Sequence, residues 1–82
     1  MSQNEVYETV VNILKPYVRD AEAFERIRLE TDILEDLRVN STRLVDVVLA
    51  FEDQFEIEIG DDDIDSVATV GDAVRLITQA LH

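Results

Sequence analysis

Few residues in this chain are equipped for chemistry. It has no cysteine, which removes disulfides, thiolate metal sites and a cysteine nucleophile. Its one histidine is His82, the last residue, where an imidazole is not expected to be held in place for a proton relay. Self-contained catalysis is therefore not expected. The hydroxyls that stand out lie in Asn40-Ser41-Thr42-Arg43, directly in front of an apolar run. Asn40 is a strong helix-capping type, worth about 1 kcal/mol over alanine. If it caps, Ser41 is the first helical residue and its hydroxyl lies at the positive end of the helix dipole, a position that accepts phosphate readily. Ordinary capping chemistry accounts for the same three residues, so on type and position alone both readings stand. Asn40-Ser41-Thr42 also matches the N-glycosylation triplet. The opening "MSQNEVYE" lacks the basic start and apolar stretch of a secretory signal, so that match is read as chance.

The carboxylates are the other resource. Nineteen acids against seven basic residues give a formal charge of −12, which would repel nucleic-acid phosphates and points to basic protein partners or simply to high solubility. Ten of the acids, from Asp46 to Asp72, fall between Leu44 and Val74, a span with no basic residue. Such a run is either a solvated face or a recognition surface. Asp61, Asp63 and Asp65 also occupy positions 1, 3 and 5 of a twelve-residue calcium loop. Position 6 is Ser66 instead of glycine, and position 12 is Asp72 instead of a bidentate glutamate, so no specific metal site is expected.

These residues must be positioned by helices. Eighty-two residues, 46% of them hydrophobic, suffice for one small domain over 1–82 but leave no room for a large substrate cavity. Val6, Tyr7, Val10, Val11, Ile13, Leu14, Tyr17 and Val18 recur at spacings of three and four, which predicts a helix over 4–18 that ends or kinks near Lys15 because of Pro16. Residues 19–40 lack a sustained period. Ala21 to Arg26 suit one or two helical turns, and Ile27, Leu29, Ile33 and Leu37 are read as anchors of a long loop. A second helix is predicted over 41–56 on a broad apolar face. Phe55, Ile57 and Ile59 alternate like a strand but have no second strand to pair with, so they are read as an extended connector broken at Gly60. A short helix is expected over 61–66. Thr69 as N-cap and Asp72 three residues later predict a final helix over 69–81. The expected fold is all-α, three main helices and one short one. No apolar run approaches the roughly 20 residues that span a bilayer. A cytoplasmic monomer is expected.

The ordered set Glu35-Asp36-Leu37, Asn40-Ser41-Thr42, Glu52-Asp53-Gln54-Phe55, Ile57-Glu58-Ile59 and Thr69-Val70-Gly71-Asp72-Ala73 resembles the acyl carrier protein family. The likeness runs uninterrupted over residues 31–77, and the first helix fits the remainder. It implies a non-enzymatic carrier with 4′-phosphopantetheine joined to Ser41 by a phosphodiester, the arm's terminal thiol holding an acyl group as a thioester. The partners it implies are a phosphopantetheinyl transferase and acyl-loading and acyl-using enzymes with basic patches. Asp46, Glu52 and Asp53 match the acids that meet those patches. Leu44, Val45, Val48, Phe51, Ile59, Ile64, Val67 and Ala73 match the lining of the acyl pocket, where bulky Phe51 and Ile64 would favour short or polar cargo. Asn40, Thr42 and Arg43 depart from the family's usual Asp-Ser-Leu and following acid, which suggests a specialised carrier with its own partner or transferase preference. Fatty-acid, polyketide, lipid-modifying and aminoacyl roles are not separated by these residues. The alternative is an unmodified, carrier-like acidic interaction module.

Overall fold

In the computed structural model, which describes residues 2–81, five α-helices follow one another: α1 (Gln3–Leu14), α2 (Ala21–Glu25), α3 (Leu44–Phe55), α4 (Asp61–Ser66) and α5 (Val70–Leu81). Two 3-10 turns, Lys15–Tyr17 and Ser41–Arg43, extend α1 and lead into α3. Among the described residues there is no strand, and Asp32 and Thr69 form an isolated antiparallel bridge. The protein is all-α, with the region after Tyr17 supplying a second short helix. His82 lies outside the described residues.

α1 begins at a capping box. The Ser2 hydroxyl accepts the Glu5 N–H at 3.2 Å, and the Glu5 carboxylate takes the Ser2 N–H in return, also at 3.2 Å. The signal, serine followed three residues later by glutamate, was present in the sequence. The helix ends at Leu14 because Pro16 cannot donate to the ladder, and the chain tightens into the 3-10 turn instead. Val6, Val10 and Leu14 are fully buried, and α1 packs mainly against α5 and then against α3. α3 buries Val47, Val48, Phe51 and Phe55 on its inner face. It stops at Glu56, which adopts a left-handed φ of 55°. Residues Ile57 to Gly60 form the extended connector that the pairing argument demanded.

The long loop is held by the start of α5. Val70 N–H donates to the Thr31 carbonyl at 2.9 Å, Gly71 N–H to the Leu29 carbonyl at 2.8 Å, and Ile33 N–H to the Ala68 carbonyl at 3.0 Å. Gly71 is required by this approach, since a Cβ there would lie 2.9 Å from the Leu29 carbonyl oxygen. Ile33 and Leu37 are buried anchors as expected. Leu29 is not an anchor: its carbonyl is used by Gly71 and the residue is 41% exposed. Val39, overlooked as an anchor, is buried instead. Ile27 is half-buried, and its carbonyl accepts the Tyr7 hydroxyl at 3.3 Å.

Thr69 and Asp72 form the reciprocal cap predicted for α5. The Thr69 hydroxyl accepts the Asp72 N–H, while the Asp72 carboxylate accepts the N–H groups of Thr69 and Ala68, each at 3.1 Å. The Thr69 and Ala68 N–H groups hold the Asp72 carboxyl below its usual range, against a smaller opposing effect of burial. A carboxyl whose folded value is lowered contributes stability that is complete above its unfolded value and lost as pH falls through the folded one. Asp72→Asn is therefore expected to melt below the parent at pH about 7, with the gap narrowing towards pH about 3, as measured by thermal circular dichroism at both.

Candidate functional site

Ser41 stands exposed in the 3-10 turn between the long loop and α3. The expectation that it begins the α-helix is corrected: α3 starts at Leu44, and Arg43 occupies its N-cap position. Asn40 caps the 3-10 turn instead. Its carboxamide oxygen accepts the Thr42 N–H at 3.0 Å and the Thr42 hydroxyl at 2.9 Å. That commits Asn40 and Thr42 to each other and leaves the Ser41 hydroxyl without a described partner. The physical reason for the shift is local: with Asn40 extended and its carbonyl already accepting Arg43 N–H at 2.8 Å, the first turn closes three residues apart.

The loop places this turn by burying residues on either side of a tight reversal. Asp32 organises the approach: its side chain accepts the N–H groups of Leu34 and Glu35 at 3.0 and 2.8 Å, and Asp36 returns a carboxylate to Asp32 N–H at 2.9 Å. Leu37 and Val39 then both enter the core, which requires Arg38 between them to adopt a left-handed φ of 58°. An arginine in that region carries a backbone cost that glycine would not.

Arg43, at the N-cap position of α3, stands at the positive end of that helix's dipole. It pairs with Asp46, one turn on, at 3.2 Å. Both partners are substantially exposed, and the pair is worth a few tenths of a kcal/mol at most. Of the other acids matched to partner contacts, Asp53 is exposed on α3. Glu52 is half-buried and its carboxylate accepts the Ile59 N–H at 3.1 Å, so it also fastens the connector to α3. Asp61, Asp63 and Asp65 belong to α4, where a helical rotation of about 100° per residue turns successive members of the set to different sides. No group of three or more His, Cys, Asp or Glu that could hold a metal occurs among the described residues.

The residues matched to an acyl pocket divide. Val48, Phe51, Ile59 and Ala73 are buried, and Leu44, Ile64 and Val67 are half-buried against the same cluster. Val45 is a correction. It lies 53% exposed, because the inner face of α3 is set by Val47, Val48, Phe51 and Phe55 and Val45 falls on the opposite side. Leu49, four residues on, is 56% exposed on that same outer face.

The geometry combines an exposed serine on a capped turn, a helix with acids around its rim, and an apolar interior beside it. Residues 10–77 match the family model described as "Phosphopantetheine attachment site". The chain is 34% identical over 82 residues to an acyl carrier protein of Coprothermobacter proteolyticus, covering all of this chain and 98% of that one. It belongs to the acyl carrier protein family. An acyl carrier protein of Rhizobium meliloti is 43% identical over 56 residues, covering 68% of this chain and 72% of the relative. Among solved structures, an acyl carrier protein of Enterococcus faecalis superposes with a TM-score of 0.80 at 30% identity, covering 98% of this chain and 99% of that one. Membership implies a covalent 4′-phosphopantetheine group and, with it, interaction with a transferase and with acyl-handling enzymes. Carrier proteins of this kind are not enzymes. No helix among the described residues is long and apolar enough to cross a membrane.

The left-handed Arg38 gives a direct check on how the loop is built. Its ion pair with Asp20, at 3.8 Å between exposed groups, contributes little. Arg38→Gly is expected to raise stability by about 1 kcal/mol in urea unfolding, the relieved backbone cost exceeding the added freedom of the unfolded chain.

Proposed function

We propose that Ser41 is the residue that carries the phosphopantetheine arm, and that the protein works as a cytoplasmic acyl carrier in lipid or secondary-metabolite biosynthesis. The observation that carries this reading is the free, exposed Ser41 hydroxyl on a turn whose neighbours, Asn40 and Thr42, are tied to each other. When bound, the arm supplies the terminal thiol that this cysteine-free chain lacks, and an acyl group is held there as a thioester. The protein's own residues do the rest. The Asn40 cap and the buried Leu37 and Val39 hold the serine outward, where a transferase can reach it.

Asp46 and Asp53, with half-buried Glu52, form the face that meets basic patches on partner enzymes. Exposed Val45 and Leu49 lie on the same helix and add apolar area to that face. Charged contacts of this kind speed encounter and weaken with salt. Asn40, Thr42 and Arg43 adapt the turn to its own transferase or partner.

The acyl chain enters beside α3, among Leu44, Val48, Phe51, Ile59, Ile64, Val67 and Ala73. Light packing of α4 on the other helices supports this entry. Phe51 is 2% exposed and fills the interior, so space for a chain is short. Carriers loaded with acyl groups of increasing length are expected to gain melting temperature over short chains and then level off. Steady stabilisation up to long chains would contradict a shortened pocket.

The attachment itself is tested by intact mass after incubation with coenzyme A and a broad-specificity phosphopantetheinyl transferase. One added arm on the parent and none on Ser41→Ala is the expected result. An arm that persists in Ser41→Ala would move the attachment elsewhere. No arm on protein purified from its native host would favour the unmodified interaction module.

A further inference from the structure

A phosphate on Ser41 would be carried by a molecule of charge −12, yet its immediate surroundings are cationic. Six of the seven basic residues, Lys15, Arg19, Arg26, Arg28, Arg38 and Arg43, precede α3, and none falls between Leu44 and Val74. Two of them line one cleft. Arg19 and Arg43, with Pro16, Tyr17 and Asn40, line an open cleft of about 410 Å³ between the turn that ends α1 and the turn that carries Ser41. Asn40 and Arg43 flank Ser41 in the chain, so the cleft adjoins the turn that carries the serine, although Ser41 itself is not one of its lining residues.

The two walls are fastened together. The N–H groups of Arg19 and Asp20 both donate to the Leu37 carbonyl, at 3.1 and 3.4 Å, which fixes the Arg19 backbone against the segment that leads into Ser41. Among the described residues, the Arg19 guanidinium has no carboxylate within ion-pair distance. Arg43 gives one nitrogen to Asp46 at 3.2 Å, and its side chain is 66% exposed, so further N–H donors remain open. A guanidinium suits a phosphate because its planar fork can give two parallel hydrogen bonds.

We propose that this cleft is a phosphate subsite in which Arg19 and Arg43 hold the phosphodiester at the root of the protein's own arm. The proposal rests on Ser41 being the attachment residue. It gives Arg43 a role that its exposed pair with Asp46 does not explain.

The test uses the full chain with and without the arm, made with coenzyme A and a broad-specificity transferase. Intact mass and a peptide map first establish whether the arm is on Ser41 in the parent and in the Arg19→Gln/Arg43→Gln double variant. Both arginines are exposed, so the double variant is expected to fold. On adding the arm to the parent, the side-chain Nε–H resonances of Arg19 and Arg43 are expected to shift more than those of Arg26 and Arg75, which lie on other clefts. The phosphorus resonance of the folded parent should differ from its value in urea, and that difference should vanish in the double variant. An arm on Ser41 with no preferential shift at Arg19 and Arg43, and the same phosphorus signal in parent and variant, would overturn the subsite and leave the attachment intact. No arm on Ser41, either with this transferase or in protein purified from its native host, would remove both.

Discussion

Everything that matters for the site hangs on three backbone hydrogen bonds between a loop and the start of a helix. The segment from Arg26 to Asn40 has no regular structure of its own for most of its length, and a buried backbone group without a partner is costly. The first N–H groups of a helix have no partner within the helix. Here the two needs meet: Val70 and Gly71 donate to Thr31 and Leu29, and Ala68 accepts from Ile33. Gly71 makes the approach feasible because its missing Cβ leaves room for the Leu29 carbonyl. Ile33, Leu37 and Val39 can then be buried, and the turn that carries Ser41 follows directly from where Val39 leaves the core.

This clasp explains why a loop of such length is compatible with a small protein. Loop closure becomes costly when the ends and middle are free, but here apolar side chains and backbone bonds fasten the middle. The remaining weak points are also informative. The two short helices, α2 and α4, pack lightly on the others. α4 consists of four aspartates, one serine and a single apolar residue, Ile64. An element attached through one half-buried side chain opens at low free-energy cost, and it lies beside the apolar interior that a carrier would use for cargo.

Charge is divided along the chain in the same way. Acids dominate from α3 to the start of α5, where they present a field to basic partners. Five of the six arginines precede α3, on the loop and on the turns next to Ser41. Long-range steering and local phosphate handling thereby fall to different residues, which lets an anionic carrier hold an anionic group without opposing itself.

The helical class, the approximate helices, the break at Pro16, the Thr69–Asp72 cap and the family were all legible in the sequence. Each depends on short-range physics: apolar spacing of three and four, the missing proline N–H, and side chains that cap within three residues. Ile33 and Leu37 were legible as anchors because apolar residues in a polar loop have few other places to go. What the sequence alone did not determine depended on contacts between distant segments. Leu29 is exposed and Val39 buried because the α5 clasp and the left-handed backbone at Arg38 decide which residues face inward. Val45 lies outside because the rotation of α3 about its axis is set by packing against α1 and α5. The start of α3 at Leu44 was decided by the loop that delivers Asn40 in an extended conformation. The cleft between Arg19 and Arg43 joins residues far apart in the chain, and only tertiary structure could bring them together.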